Sequence, residues 1–363
     1  MSAAGGFCSF DAVLNEAGLS VYTHSGAASP DAPTTTELTA GFCNVVNMVR
    51  VDGERDTVVV KTFGDLARAR ILAGDSLCFP VERAATKANI APALLHASNN
   101  GSVNVFLGPQ WTTLSEAVVS SSIRSTMSGA VDDLTWGRHA TQRDAAHVRS
   151  PLICAVAAAL AQLHAIELDD VEPERALLTA SAPAPAAGAR YARCKPRIWT
   201  SVDVLLEIAQ HKSERLPAGW DIGAVAAACA RERARLDGQN LPMVTGHGDF
   251  KPSNVMVVLD EGGDIAPGAV NAQIIDFELA GPNYRGFDLC KFFRRDSGPL
   301  PVDALGLFAS EYLAAGATLV SAVASTAFIL EYSLGANPIL RELAIEDFVA
   351  VDGPRRSAPA AFA

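Results

Sequence analysis

His247-Gly-Asp249-Phe-Lys251-Pro-Ser-Asn254, Ile274-Ile-Asp276-Phe-Glu278 and Asn283-Tyr-Arg-Gly-Phe-Asp288 are the segments whose reading decides the fold of this 363-residue chain. Within about forty residues they hold a candidate proton acceptor, Asp249, two oxygen ligands of the magnesium type, Asn254 and Asp276, and a loop lysine, Lys251. Phosphoryl transfer needs such parts close together, because it proceeds mainly by positioning and by neutralising charge.

The geometry follows from the residues between the segments. Val255–Leu259 is an apolar, β-branched run, and so is the segment ending Gln273-Ile-Ile-Asp276. The turn-forming cluster Asp260-Glu-Gly-Gly-Asp follows the first run, so the two are expected to form an antiparallel hairpin. In such a hairpin the start of one strand lies beside the end of the other, which makes Asn254 and Asp276 neighbours at the end away from the turn. An amide oxygen and a carboxylate there suit magnesium, a hard cation that takes few protein ligands. Asp249, five residues before Asn254, sits in the loop feeding the first strand, where it can face a substrate hydroxyl. Taken singly, each residue has an ordinary alternative: a turn cap, a loop amide, a strand end. Their combination in this order is what points to chemistry.

His-x-Asp-x-x-x-x-Asn followed by Asp-Phe-Glu resembles the catalytic loop and metal segment of the eukaryotic protein kinase-like superfamily. The longer run Ile275-Asp-Phe-Glu-Leu-Ala-Gly-Pro-Asn-Tyr-Arg-Gly-Phe-Asp288 is similar to the signature of the choline and ethanolamine kinases. Aminoglycoside phosphotransferase-like kinases share the first motif but usually lack the Asn-Tyr-Arg-Gly-Phe-Asp ending. The resemblance implies an α+β, two-lobed protein kinase-like fold, with a small antiparallel-sheet N-lobe at residues 35–107 and a larger, mainly helical C-lobe at 108–352. Residues 1–34 would be an N-terminal extension and 353–363 a flexible tail. It also implies ATP and Mg2+ as cofactors and transfer of the γ-phosphoryl group to a small amino alcohol, ethanolamine or choline, at the start of phospholipid head-group synthesis. Asp249 would then be catalytic; Lys251 stands where protein kinases carry a loop lysine near the γ-phosphate, a place where choline kinases usually carry another residue; Asn254 and Asp276 would hold the metal, with Glu278 in support. Asp288 and Arg285 would brace the catalytic loop.

The N-terminal half supplies the remaining parts. Val49–Lys61 reads as two strands around Asp52-Gly53, with Lys61 ending the second. A lysine there reaches ATP phosphates if a carboxylate holds it. Glu82 is the candidate, in the helix-like run Pro80–Asn89 with proline near its start. Thr39-Ala-Gly-Phe-Cys-Asn44 falls where the family has a short nucleotide loop, so Asn44 joins the cofactor-binding set, although Cys43 replaces the family's hydroxyl residue.

Composition agrees with an enzyme of this size. A net charge of −11 argues against general nucleic-acid or anionic-membrane binding but not against ATP, which needs only local cations. Seven cysteines with no close pair signal neither zinc nor a disulfide framework, so a reducing cytoplasm is the simplest home. Met1–Leu19 lacks the basic start of a secretory signal. The charge-free run Tyr312–Leu330 is diluted by alanine, glycine and hydroxyl residues, and reads as a buried helix rather than a membrane span. Leu152–Leu168 reads as a helix carrying a structural His164, Ser120–Asp132 as a loop and Ala180–Ala189 as a surface insertion. The expected partner is a small molecule, and a homodimer is compatible.

The acceptor is where the pattern departs from the family. Leu289-Cys-Lys-Phe-Phe-Arg-Arg295 places lysine and arginine where choline kinases are neutral or acidic. No tryptophan follows Trp220 to build an aromatic cage for a quaternary ammonium. Alternatives are therefore a kinase of another small alcohol or sugar, closer to the aminoglycoside phosphotransferases, and a non-catalytic scaffold. Retention of Asp249, Asn254, Asp276 and Lys61 weighs against the scaffold.

Overall fold

The computed structural model describes residues 10–19, 34–40, 44–50, 57–119, 151–167, 195–211, 221–237, 243–258, 272–292, 308 and 312. Five antiparallel strands form the N-terminal sheet: β1 (Thr34–Ala40), β2 (Asn44–Arg50), β3 (Thr57–Phe63), β4 (Leu94–Ala97) and β5 (Gly101–Val105), in the order β1-β2-β3-β5-β4. The two expected strands around Asp52-Gly53 are β2 and β3, paired Arg50 to Thr57 and Asn44 to Phe63. β3 runs two residues past Lys61.

The alternation of β3 sets the direction of its lysine. Val58 and Val60 are buried against Val13 and Leu14 of helix α1 (Phe10–Glu16) and against Val49 and Val103. With a side-chain period of two, Lys61 is on the opposite face. The pairing of Lys61 with Ser102, next to Gly101, brings the β5 backbone against it.

Two helices follow the sheet's centre, α2 (Asp65–Ala73) and α3 (Cys78–Lys87). α3 begins two residues before Pro80, which falls in the first turn, where its missing N–H costs nothing. Phe79, Val81 and Ala85 bury one face of α3 in a core that continues through Phe250, Val255, Val257, Ile274 and Phe277.

The expected hairpin is present as β8 (Val255–Val258) and β9 (Ala272–Ile274), with Val255 opposite Ile274. Strand β6 (Trp111–Thr113) adds to the other edge of β8, and α4 (Leu114–Val119) follows β6. A second ribbon pairs β7 (Met243–Gly246) with β10 (Gly281–Tyr284). Around them stand α5 (Pro151–His164), α6 (Arg197–His211), α7 (Ile222–Asp237) and α8 (Arg285–Phe292). Leu160 and Leu163 of α5 join the core beneath the hairpin. Trp199, Val202 and Leu205 of α6 pack with Cys229 of α7 and with Tyr284 and Phe287.

The result is the expected α+β class, with an antiparallel-sheet N-terminal region and a helix-rich C-terminal region. Among the described residues no helix is long and apolar enough to cross a membrane. The expected loop at 120–132, the insertion at 180–189, the tail at 353–363, all of the run at 312–330 except Tyr312, and both Arg294 and Arg295 lie outside the described residues.

Gly101 is a test of how tightly the sheet closes on Lys61. A Cβ there would stand 2.2 Å from the Lys61 carbonyl oxygen and 2.7 Å from a Val13 methyl. Gly101→Ala is expected to cost about 1–3 kcal/mol of stability by overpacking, measured by urea denaturation.

Candidate active site

The loop after β7 is built around a left-handed glycine. Gly248 has φ +82, and a Cβ there would fall 2.3 Å from the Leu279 carbonyl oxygen, so only glycine allows the loop to pass the neighbouring turn. Asp288, in the first turn of α8, holds the loop. One carboxylate oxygen accepts the His247 N–H at 2.7 Å and the other accepts the Gly248 N–H at 2.8 Å. His164 Nε2 lies 3.0 Å from the first of these oxygens, and its Nδ1 lies 2.7 Å from the Tyr312 hydroxyl. Burial opposes ionisation of Asp288, but the hydrogen bond and charge of His164 and the His247 N–H outweigh it and hold the carboxyl below its usual range. The bracing expected of Asp288 is thus present. Arg285 is buried at the start of the same helix.

His247 ties this loop to the end of β9. Its Nε2 donates to the Ile275 carbonyl at 2.9 Å, leaving Nδ1 to accept the Asp249 N–H at 3.2 Å. That pattern selects the tautomer with hydrogen on Nε2.

Asp249 is surrounded by donors. Oδ2 accepts from Lys251 Nζ at 2.7 Å and from Asn254 Nδ2 at 3.2 Å, while Oδ1 meets Lys291 Nζ at 3.2 Å. Burial would raise its proton affinity, but Lys291 and then Lys251 overcome that and hold the carboxyl far below the usual carboxylate range. Asp249 is therefore a carboxylate at any physiological pH.

Asn254 and Asp276 meet as the hairpin requires, with the Ile275 N–H donating to the Asn254 carbonyl at 3.0 Å. Asp276 adopts a left-handed conformation, φ 73 and ψ 56, that a non-glycine residue enters at a cost and that is commonest at functional sites. Asn254 Nδ2 is spent on the Asp249 carbonyl and carboxylate, which turns Oδ1, the atom a cation would use, the other way. Among the described residues no cluster of three or more His, Cys, Asp or Glu could hold a metal. An amide oxygen and one carboxylate are instead the small share that protein contributes to magnesium. The donor set fits that ion.

Lys61 corrects one expectation. Its ammonium does not pair with Glu82; it meets Asp276 Oδ1 and, at 2.7 Å, Glu278 Oε2. Two carboxylates buried side by side demand a cation, whereas Glu82 already accepts Asn104 Nδ2 at 2.8 Å. Burial also pushes Glu82 up to about 7, against the opposing hydrogen bond from Asn104, and a half-neutral acid competes poorly for a lysine. Glu82 still lines the recess that contains Lys61, Asp276 and Glu278. Burial would lower the Lys61 pKa, but Asp276 and Glu278 outweigh it and raise it. Burial also opposes charge on Asp276, which Lys61 nevertheless holds low, and burial followed by the Asp276 charge drives Glu278 up. Asn44 Nδ2 donates to Glu278 Oε2 at 2.5 Å, while its Oδ1 is buried without a partner among the described residues. The structure therefore brings Asn44, Lys61, Asp276 and Glu278 into one cluster and Asp249, Lys251 and Asn254 into an adjoining one.

Two residues went unassigned in the sequence. Lys291 differs from the family pattern in sequence, yet it stands three residues after Asp288 and so shares the helix face turned to the loop. Arg197 gave no signal at all; its buried guanidinium donates Nη2 to the Arg70 carbonyl at 2.5 Å and lies against Gly74.

With this geometry in place, the comparisons are specific about family. A model of the phosphotransferase enzyme family (APH) matches residues 132–320, and the chain belongs to that family. Its fold is shared with Plasmodium vivax ethanolamine kinase, at a TM-score of 0.59 and 14% identity over 90% of this chain and 78% of that one. Choline kinase from Cryptosporidium parvum Iowa II is similar at a TM-score of 0.50 and 14% identity, over 88% of this chain and 84% of that one. No curated protein matches in sequence. The protein is thus a phosphotransferase of kinase-like fold.

The brace at Asp288 predicts an acid-sensitive stability. A carboxyl held below its unfolded pKa contributes stability above that pKa, about 4, and loses it as pH falls through the folded value. Asp288→Asn should cost about 3 kcal/mol at pH 7. The gap from the wild type should narrow below about pH 4 in chemical denaturation.

Proposed function

We propose that this phosphotransferase is an ATP- and magnesium-dependent kinase of a small-molecule alcohol. The observation that carries the reading is the junction of two clusters at the hairpin end: the ionised Asp249 beside Asn254, and Asp276 beside Lys61.

In this reading Asp249 receives the acceptor hydroxyl as a hydrogen-bond donor and aims its oxygen at the γ-phosphorus. As the new O–P bond forms and the bond to ADP breaks, the hydroxyl proton passes to Asp249. With its proton affinity so low, Asp249 orients first, and takes the proton only once the oxygen has begun to bond phosphorus. Asn254 and Asp276 would hold magnesium, which neutralises phosphate charge when bound. Lys61 would steady the nucleotide phosphates, exchanging part of its carboxylate contact for them, with Asn44, Glu82 and Glu278 around it. Lys251 would face the transferring group.

The resemblance of Ile275–Asp288 to the choline and ethanolamine kinases favours an amino alcohol as acceptor, and with it the first step of phospholipid head-group synthesis. In this chain those residues are largely framework: Asp288 braces the loop, and the Tyr284 hydroxyl bonds Trp199 Nε1 and Asp237 at 3.0 Å each. A second reading, an acceptor without a cationic head, is favoured by Lys291 on the carboxylate of Asp249.

An ATP-consumption assay over ethanolamine, choline, other amino alcohols and sugars, with and without magnesium, tests the proposal. Magnesium-dependent turnover of at least one is expected, and turnover of none would favour a scaffold. Asp249→Ala should lower kcat by about a hundredfold to ten-thousandfold; undiminished turnover would remove Asp249 from the mechanism. Asp276→Ala should abolish magnesium-dependent turnover, and unchanged metal dependence would count against the hairpin as the metal site.

A further inference from the structure

Helix α8 turns two side chains toward three consecutive residues of the candidate catalytic loop. Asp288 accepts the N–H groups of His247 and Gly248. Lys291, three residues on and therefore on the same helix face, meets the next residue, with Nζ 3.2 Å from Asp249 Oδ1. Its side chain is 9% exposed, and its ammonium lies 5.9 Å from the centre of the Phe287 ring on the same helix.

The two oxygens of Asp249 are not equivalent. A carboxylate oxygen offers two lone pairs in its plane. Oδ2 accepts from Lys251 Nζ at 2.7 Å and from Asn254 Nδ2 at 3.2 Å, so both of its places are taken. Among the described residues Oδ1 accepts from Lys291 alone, which leaves it one place. The donors differ too. Lys251 and Asn254 are two and five residues from Asp249 on the same stretch of chain, and the Lys251 side chain is 45% exposed. Lys291 comes from a separate element 42 residues away, a helix that Asp288 already ties to the loop. The last torsion of an aspartate is broad, so the plane of its carboxylate is set by such contacts rather than by its own rotamer.

We infer that Lys291 is a positioning residue of the proposed kinase: from α8 it fixes the plane of the Asp249 carboxylate and reserves Oδ1 as the oxygen that receives the acceptor hydroxyl. The inference rests on the kinase reading and deepens it. The hydroxyl donates to the open place on Oδ1, beside the ammonium. Its proton passes to that oxygen as the new O–P bond forms and the bond to ADP breaks. Lys251, the more exposed lysine, can then turn to the transferring group without releasing Asp249. Burial raises the proton affinity of Asp249 and Lys291 is the foremost charge that lowers it, so removing the lysine makes the carboxylate a stronger base. A fall in rate therefore reports lost orientation, not lost basicity.

The test uses the full chain with ATP and magnesium, and ethanolamine, choline, glycerol and glucose as acceptors, with kinetics taken on the one turned over fastest. Lys291→Met should lower kcat about tenfold to a hundredfold, the cost of a misplaced catalytic group, and change the KM of ATP by less than about twofold. In an Asp249→Ala background the same substitution should lower the residual rate by less than about twofold, because the lysine acts through the carboxylate that is gone. An unchanged kcat in Lys291→Met overturns the inference while leaving the kinase intact. So does an equal loss in both backgrounds, which would make the lysine a structural residue or one that acts on the phosphoryl group itself. If the wild type turns over none of the four, the kinase reading fails and the inference falls with it. The Tm of each variant is taken first, and Lys291→Gln substitutes if the methionine variant does not fold. Failure of both to fold overturns the inference, because the lysine would then be needed for the fold itself.

Discussion

The carboxylate of Asp288 is the constraint on which the site depends. It is fully enclosed, so it must find donors inside the protein, and it finds them in two consecutive backbone N–H groups and one histidine. Those bonds join the start of α8, the loop after β7 and helix α5, three segments that no local sequence pattern holds together. With the loop pinned at His247 and Gly248, the next residue, Asp249, has little freedom left. The glycine that makes this path possible is equally constrained, because any side chain at position 248 would enter the Leu279 carbonyl.

A second set of buried charges faces the first across the end of the hairpin. Asp276 and Glu278 share Lys61, a residue more than two hundred positions earlier in the chain. This ion cluster stitches the N-terminal sheet to the hairpin, and it explains why Lys61 stands on the face of β3 turned away from α1. A strand with its valines against α1 must direct its lysine the other way. Charges so enclosed are costly unless matched, and the matching is what makes the cluster specific. It also leaves Glu82 to Asn104, an uncharged partner suited to an acid whose burial favours the protonated form.

Much of this was legible in the sequence where the physics is local. The β-branched runs and the turn between them specified the hairpin, and a hairpin necessarily sets Asn254 beside Asp276. The β-branched run before Lys61 specified a strand, and the structure buries its alternate residues Val58 and Val60. Pro80 marked the first turn of a helix to within two residues. Illegible were the partners of buried charges. Lys61 had a plausible carboxylate in Glu82, and nothing in the sequence ranked Asp276 and Glu278 above it. Lys291 was half visible, since its spacing from Asp288 placed it on the loop side of the helix. Arg197 was invisible, because its environment is made by α2, the Glu278 turn and β10 closing around α6.

By itself, then, the sequence determined which chemical groups are available, the local elements that carry them, and the meeting of Asp249, Asn254 and Asp276 over a short stretch of chain. Strand pairing and turn closure act between residues near in sequence, so their outcome can be read from the pattern. Only the tertiary structure decided which cation neutralises which carboxylate. The strength of a buried charge pair depends on distance and on the exclusion of water, and both are set by how remote surfaces pack.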